Sequence, residues 1–202
     1  MRMDEAERLF IVIRGPSSVG KTLQARTLSR ILDEKILPPE HRLCLIRGDF
    51  LSHVAVDFQP YGWTLELKRR NLVVIVENAL SMGGHCIVDD VCSDNRVLLV
   101  LLGIARAHGL DPFVIRLMAT EITLLQRNRK RDTRDRNDAT SVVRYHRSFL
   151  AEPLLDNELV IDTEGQTPSQ TAESVITSTL KHFPWLAQQS GAIGFDITIR
   201  SR

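Results

Sequence analysis

The eight residues GPSSVGKT at positions 15–22 constrain what this 202-residue chain can fold into more than any other feature. They match the pattern G-x-x-x-x-G-K-[ST], follow an apolar run at residues 9–13, and precede a helix-like stretch. In such a P-loop, successive backbone N–H groups converge on phosphate oxygens at the start of a helix. We therefore predict that a nucleotide binds to Gly15, Pro16, Ser17, Ser18, Val19, Gly20, Lys21 and Thr22, with Lys21 on the outer phosphates and the Thr22 hydroxyl on Mg²⁺.

Apolar runs and segments of helical period alternate along the chain. The predicted strands are residues 9–14, 42–47, 85–90, 112–117 and 158–162, and the predicted helices are residues 21–35, 64–82, 94–108, 120–131, 138–150 and 168–182. This alternation is typical of an α/β fold with a five-stranded, mostly parallel sheet and helices on both faces, the three-layer P-loop NTPase architecture. Ligands of such sheets bind beyond the C-terminal ends of the strands.

Composition favours an ordinary globular chain, with 43% hydrophobic and 25% charged residues. The sequence has neither an uncharged apolar run of membrane-spanning length nor an apolar signal region at its N-terminus, so we expect a cytoplasmic protein without a membrane partner. The three cysteines lack CxxC spacing and are expected to be buried thiols, and the six scattered histidines predict no metal site.

Asp49 follows the second predicted strand in the segment IRGDF. The sheet would deliver this carboxylate to the same edge as the P-loop, and Gly48 would let the chain turn there. A carboxylate in that place can orient an acceptor hydroxyl and accept its proton. The structural alternative is that Asp49 caps a helix.

The segment CIVDD at residues 86–90 is an apolar strand that ends in two acids, the Walker B pattern. One of these carboxylates is expected to engage Mg²⁺, and we assign that role to Asp89. Side chains of adjacent strand residues point to opposite faces, so Asp90 is expected to act elsewhere. The alternative is two solvated acids at a strand end.

Residues 127–147 carry eight Arg or Lys against three Asp. Such a cluster fits nucleic-acid binding, a solvated helix face or a phosphate-clamping lid over about residues 120–150. The spacing of Arg127, Arg131 and Arg134 would let the three project together from a helix towards a nucleotide. Surface solvation is the alternative, and the other arginines are expected to face solvent or the acceptor: Arg129, Arg136, Arg144 and Arg147.

Two further segments have open interpretations. Phe50, Phe58, Tyr61 and Trp63 lie in a loop-like stretch that could wall an acceptor pocket or pack in the core. Residues 1–182 are expected to form the kinase domain and residues 183–202 a tail, in which apolar and polar residues alternate from 193 to 200. That tail predicts an edge strand on the chain's own sheet, or pairing with a second subunit in a homodimer.

Absent motifs narrow the class of P-loop protein. The chain has no N-K-x-D motif for reading guanine and no ABC-type signature, and it is too short for most AAA-type machines. What remains is a small enzyme of phosphoryl transfer, in which a phosphate cradle, Mg²⁺, a carboxylate and mobile arginines act together.

Together these segments resemble chloramphenicol phosphotransferase-like P-loop kinases. The similar stretches are GPSSVGKT, RGDFL, IVDDV, RNRKRDTR and VIDT, within residues 9–180. The resemblance implies that Asp49 is the base, that Arg127, Arg131 and Arg134 form the lid, and that the loop after Asp162 borders adenine. Polynucleotide 5′-hydroxyl kinases are similar in their segment after the second strand and in an R-N-x-x-R lid, here Arg127 to Arg131. The residues after Asp90 match neither family.

We therefore expect an ATP- and Mg²⁺-dependent kinase that phosphorylates a hydroxyl of a small molecule, such as an antibiotic or a metabolite. One alternative is a kinase that acts on the 5′ end of a nucleic acid. Another is a nucleotide-binding regulator without transferase activity.

Overall fold

The computed structural model of the chain describes residues 7–51, 61–133 and 136–189. The strands are β1 (Phe10–Arg14), β2 (Leu43–Arg47), β3 (His85–Asp89), β4 (Pro112–Met118) and β5 (Glu158–Asp162). The helices are α1 (Lys21–Ile31), α2 (Gly48–Leu51), α3 (Tyr61–Ser81), α4 (Asn95–Ala107), α5 (Glu121–Arg129), α6 (Ala139–Ala151), α7 (Pro168–His182) and α8 (Pro184–Gln189). A π-helical turn, Leu32–Ile36, continues α1.

The five strands form one sheet in the order β2-β3-β1-β4-β5, and every neighbouring pair is parallel. β1 lies at the centre, where Val12 is in register with Val88 of β3 and Val114 of β4. Parallel strands need crossover connections, and the helices supply them. The predicted α/β fold is confirmed, and the sheet is parallel throughout.

Alternate side chains of the central strand enter two separate cores. Ile11 and Ile13 pack on one face with residues of α1 and α7 such as Leu28 and Val175. Phe10 and Val12 pack on the other face with residues of α3 and α4, among them Val76 and Leu101. Burial on both faces explains why β1 has an uninterrupted apolar run instead of an alternating one.

The residue types at two helix ends explain why the helices begin or end there. Thr167 caps α7 in a capping box with Gln170, and Pro168 occupies the first helical position. After α3, Gly83 adopts a left-handed backbone with φ 78°, which glycine tolerates without steric cost. Both predicted boundaries are confirmed within a residue or two.

The sequence assigned residues 183–202 to a tail, but the chain continues after α7 directly into α8. Phe183 and Leu186 are buried in the same core as α1 and α7, and the Trp185 ring stacks on His85. Residues 183–189 are therefore packed on the domain. The alternating residues 193–200, and with them the predicted edge strand or homodimer contact, lie outside the described part of the chain.

At the N-terminal edge of the sheet, the buried ring of His85 contacts both Leu9 and His41. Its Nδ1 accepts a hydrogen bond from the Leu9 backbone N–H at 3.1 Å, so the ring proton of the neutral form is placed on Nε2. That nitrogen lies 2.7 Å from Nδ1 of His41. Burial, followed by the charges of His41 and Arg8, lowers the pKa of His85 to about 4.

All three cysteines are free thiols; Cys86 and Cys92 are buried, as predicted, whereas Cys44 is partly exposed. Burial raises the pKa of the Cys86 thiol to about 12, which makes it a packing residue and a poor nucleophile. No helix among the described residues is both long and apolar enough to span a bilayer.

Candidate active site

The P-loop joins β1 to α1 with a backbone that only certain residues adopt. Gly15 has φ 149° and Gly20 has φ 107°, both outside the range that side-chain-bearing residues favour. A Cβ on Gly15 would overlap the Leu117 carbonyl of β4, so glycine also permits the close approach of two strands. Ser18 has φ 67°, which is uncommon for a residue other than glycine and indicates a loop held in a strained form.

Lys21 and Thr22 open α1 and face the acid at the end of β3. The Lys21 ammonium is buried and donates to the Pro16 carbonyl at 3.0 Å. The Thr22 hydroxyl lies close enough to the Asp89 carboxylate to favour its ionised form. Burial lowers the pKa of Lys21, against the opposing charges of Asp89, Asp49 and Asp90. Burial likewise raises the pKa of Asp89, against Lys21 and the Thr22 hydroxyl.

The adjacent acid Asp90 faces a different set of partners, as alternation along a strand predicts. Its Oδ2 lies 2.7 Å from the Lys68 ammonium of α3, and its Oδ1 accepts the Cys92 backbone N–H at 2.9 Å. A Cβ on Gly48 would overlap Oδ2 of Asp90. Gly48 was predicted to serve a turn, but its φ is not positive, and the structure requires glycine there because Asp90 packs against it.

Asp49 lies in the first turn of α2, one residue inside the helix rather than at its N-cap. Its side chain is 65% exposed, and its Oδ1 lies 3.6 Å from the Lys68 ammonium. Lys68 therefore lies between Asp49 and Asp90. Burial alone would lower the pKa of Lys68, but the charge and hydrogen bond of Asp90 and the charge of Asp49 raise it, so the side chain stays a cation.

The three arginines predicted to project together from one helix are placed differently. Arg127 lies in the last turn of α5 and donates to the hydroxyl and the carbonyl of Thr163 at 2.8 and 2.7 Å. The helix ends at Arg129, so Arg131 lies beyond it, although both Arg127 and Arg131 line the cavity described below. Arg134 lies outside the described residues.

Asn128 explains why α5 ends before Arg131. Its side chain is buried and exchanges two hydrogen bonds with the Asn137 backbone, at 2.7 and 3.0 Å. Its Oδ1 also accepts a bond from the Ser18 hydroxyl of the P-loop at 3.3 Å. The Asn128 amide therefore links Asn137 of the predicted lid to Ser18 of the P-loop. The sequence marked Asn128 only as part of the R-N-x-x-R segment, which assigns no role to its side chain.

Three buried charged residues, Glu158, Arg14 and Arg116, link strands β5, β1 and β4 next to the site. Glu158 of β5 accepts hydrogen bonds from Arg14 of β1 at 2.5 and 2.9 Å, and from Arg116 of β4 at 2.8 and 2.8 Å. Burial would raise the pKa of Glu158, but the two guanidinium groups hold it below its usual value. Arg14 also donates to the Cys92 carbonyl, and Arg116 to the Phe149 carbonyl of α6. The triad of Glu158, Arg14 and Arg116 thus joins three strands of the sheet to the loop after β3 and to α6, which both border the site.

These elements enclose a cavity of about 820 Å³ at the C-terminal edge of the sheet, where ligands of parallel sheets bind. Its walls come from the P-loop and α1, from α2 and α3, from the loop after β3, from α5 and from α6. Lys21, Thr22, Asp49, Arg127 and Arg131 all line it, so the structure brings these predicted site residues to one place. The site residues that sequence reasoning missed are Lys68, Asn128 and Thr163.

Of the four aromatic residues of this segment, Phe50 is the one whose side chain the structure describes, and it is not among the residues that line the cavity. Phe50 is 56% exposed, with the Arg47 guanidinium 4.0 Å from its ring centre. Phe58 and the side chains of Tyr61 and Trp63 lie outside the described part of the chain. Helix α3 begins at Tyr61, so Gly62 is helical and does not belong to a loop.

The central parallel sheet and the phosphate loop between β1 and α1 define a P-loop kinase-like nucleotide-binding domain. The chain belongs to the AAA_33 family, described as an AAA domain, whose profile matches residues 10–152. The short chain length predicted that the protein is not one of the AAA-type machines. The match shows that a chain of this length can still belong to a family described as an AAA domain. No curated protein matches the sequence.

Solved structures show the same fold at low sequence identity. The tunicamycin resistance protein of Deinococcus radiodurans is 22% identical with a TM-score of 0.59, and the match covers 85% of this chain and 96% of that one. A gluconokinase from Sinorhizobium meliloti 1021 is 14% identical with a TM-score of 0.64, over 92% and 99% of the two chains. The Mycobacterium tuberculosis APS kinase CysC in complex with AMPPNP and APS is 15% identical with a TM-score of 0.57, over 85% and 97%.

Proposed function

We propose that this protein is an ATP- and Mg²⁺-dependent phosphotransferase that moves the γ-phosphoryl group of ATP to a hydroxyl of a small-molecule acceptor. One observation carries the proposal. Lys21 and Thr22 line the same cavity as Asp49, and the Thr22 hydroxyl lies close to the buried Asp89 carboxylate. Phosphate ligands, a metal-side carboxylate and an acceptor-side carboxylate are the parts that phosphoryl transfer needs. The gluconokinase and the APS kinase among the similar structures are kinases by name.

The residues present fit a nucleotide and its metal. Three P-loop residues with positive φ, Gly15, Ser18 and Gly20, give the loop the curved backbone that phosphate cradles need. The Thr22 hydroxyl and the Asp89 carboxylate are oxygen donors of the kind that Mg²⁺ prefers, and they lie close together. The metal is therefore assigned to Thr22 and Asp89, while Asp90 is committed to Lys68 and the Cys92 backbone.

When bound, ATP supplies the phosphoryl group and Mg²⁺ neutralises part of its charge. Lys21 would hold the outer phosphate oxygens, and Arg127 and Arg131 would bind them from the lid side of the cavity. Asp49 would orient the acceptor hydroxyl and accept its proton as the new P–O bond forms. Lys68 would keep Asp49 directed into the cavity. In this proposal catalysis is mainly positioning and charge neutralisation.

A transfer assay with γ-labelled ATP against hydroxylated metabolites, antibiotics and 5′-OH oligonucleotides tests the proposal. We expect label in a small-molecule product, and we expect Lys21→Ala to abolish it. Lys181→Ala at the end of α7, far along the chain from the P-loop, is the matched control and should transfer label normally. Turnover that survives Lys21→Ala would contradict the assignment of the P-loop.

The 5′-hydroxyl kinase remains a second candidate, because Arg127 and Asn128 of the R-N-x-x-R segment both contact the P-loop. It predicts transfer to an oligonucleotide that falls steeply as salt rises. A nucleotide-binding regulator is the third candidate. It predicts nucleotide binding with no transfer to any acceptor, and Asp49→Asn would then change nothing that can be measured in turnover.

A further inference from the structure

The cations that line the cavity fall into two groups. Lys68 is paired with Asp90, and Arg69 lies 3.5 Å from Asp94. In contrast, four cavity-lining guanidinium groups have no carboxylate within ion-pair distance among the described residues: Arg26, Arg127, Arg131 and Arg144. On a convex surface, guanidinium groups without a carboxylate partner would not indicate a binding site. In a concave site they act on one small volume, where the protein walls focus their field.

Arg127 and Arg131 are already assigned to the nucleotide, which leaves Arg26 and Arg144. Arg144 lies on α6 with Tyr145 and Ser148 beside it in the cavity wall. Its guanidinium lies 5.1 Å from the centre of the Tyr145 ring. The α3 residues Leu65 and Lys68 line the same cavity. Arg144 and Arg26 therefore border one cavity with Asp49 and Lys68, the residues of the acceptor side in the proposed reaction.

We propose that the acceptor carries an anionic group in addition to its hydroxyl, and that Arg144 binds this anion with Arg26 contributing a second positive charge. The inference rests on the proposed function and names its substrate class: a phosphate, sulfate or carboxylate compound with a free hydroxyl. A guanidinium fork matches the paired oxygens of these groups and forms hydrogen bonds stronger than neutral ones.

The placement of the basic residues favours a compact anion over a nucleic-acid strand. Arg26 and Arg144 lie in the lining of the cavity. A compound with one anionic group can contact Arg144 while its hydroxyl lies at Asp49, whereas a strand needs further cations outside the cavity for its successive phosphates. On helix α6 the next basic residue, Arg147, is 74% exposed, lies 3.9 Å from Glu121 and is not in the cavity lining.

The first arm of the test measures anion binding without any transfer. With the donor site saturated by Mg²⁺ and AMPPNP, inorganic phosphate is titrated by calorimetry against chloride at equal ionic strength. We expect binding that weakens about tenfold or more in Arg144→Ala and less in Arg26→Ala. The control Arg147→Ala, on the same helix, should bind as the unaltered protein does. No binding beyond chloride, or equal binding in Arg144→Ala, overturns the anion site.

The second arm compares acceptors that differ in charge, namely sorbitol with gluconate, glycerol with glycerol phosphate, and a 5′-OH oligonucleotide. Preference for the anionic member of each pair, lost in Arg144→Ala through a higher KM, supports the inference. Equal transfer to neutral and anionic members overturns it while the kinase assignment stands. Preference for the oligonucleotide overturns the small-molecule class. Phosphate binding at Arg144 with no transfer to any compound would contradict the proposed function and leave the anion site intact.

Discussion

The ammonium group of Lys68 lies 2.7 Å from Oδ2 of Asp90, and this contact joins helix α3 to the end of strand β3. Both side chains are mostly buried, so the pair is shielded from solvent screening. Because the same ammonium lies 3.6 Å from Asp49, α3 is tied to both acids on the acceptor side. The pair gives the proposed base a fixed cationic neighbour.

Replacing Lys68 by Met should lower both stability and turnover. Asp90 would keep a buried carboxylate without its cation, at a cost of about 3 kcal/mol in the free energy of unfolding. We also expect kcat to fall by about tenfold because Asp49 loses its neighbour, and Lys68→Arg should restore part of it. Unfolding in urea and steady-state kinetics measure the two effects.

Arg70→Met, on the same helix in an exposed pair with Glu66, should change stability by less than about 1 kcal/mol. Equal effects of the two variants would contradict the role of Lys68.

Replacing Glu158 by Gln should destabilise the fold strongly. The substitution leaves Arg14 and Arg116 as two buried cations without a carboxylate, and breaking a buried pair costs about 3–5 kcal/mol. Urea unfolding monitored by circular dichroism measures the loss. The exposed Glu173→Gln on α7 is the matched control and should change stability by about 0.5 kcal/mol or less. If Glu158→Gln were as mild as its control, the triad would be dispensable.

Acid should destabilise the protein partly through His85. Its pKa is about 4 in the folded protein against 6.5 as its ordinary value, so the unfolded chain takes up the proton first as the pH falls. The contribution of His85 to stability is therefore complete above about pH 6.5 and is lost between about pH 6.5 and 4, to an extent of about 3 kcal/mol. Below about pH 4 it becomes constant.

Unfolding measured at about pH 7 and about pH 4.5 tests this assignment. His85→Phe should be less stable at neutral pH, because the Leu9 N–H loses its acceptor, and should lose less stability on acidification than the unaltered protein. An identical decrease in both proteins would show that other groups carry the acid sensitivity.

The sequence predicted the sheet well because the patterns involved are local. Each of the five strands is a short apolar run followed by a turn or helix signal, and each was predicted within two residues at either end. The P-loop was recognisable because its glycines and Lys21 must lie at fixed spacings to curve the backbone around phosphates. Asp49 and Asp89 could be predicted to lie at the ligand-binding edge because both are near strand ends, and the structure places them just after β2 and at the end of β3.

The parts that were missed depend on contacts between residues far apart in the chain. Lys68 reaches Asp90 across 22 positions, and nothing in the pattern of α3 marks it. Arg14 and Glu158 are buried charges within strands, where a charge ordinarily indicates an exposed face; each is tolerated only because the other is there. The end of α5 depends on a bond from Asn128 to Asn137, so helical spacing placed Arg131 on a helix that has already ended.

The most direct test of the account is a pair of measurements on Asp49→Asn: kcat for transfer to the best acceptor, and the dissociation constant for Mg²⁺ and AMPPNP. The substitution removes the proposed base and leaves the P-loop unchanged. Asp111→Asn, exposed before β4 at the opposite edge of the sheet, is the matched control. We predict that kcat falls about a hundredfold or more while nucleotide affinity stays within about twofold. An unchanged kcat, or equal losses of kcat and nucleotide affinity, would contradict the role of Asp49 as the acceptor-side base.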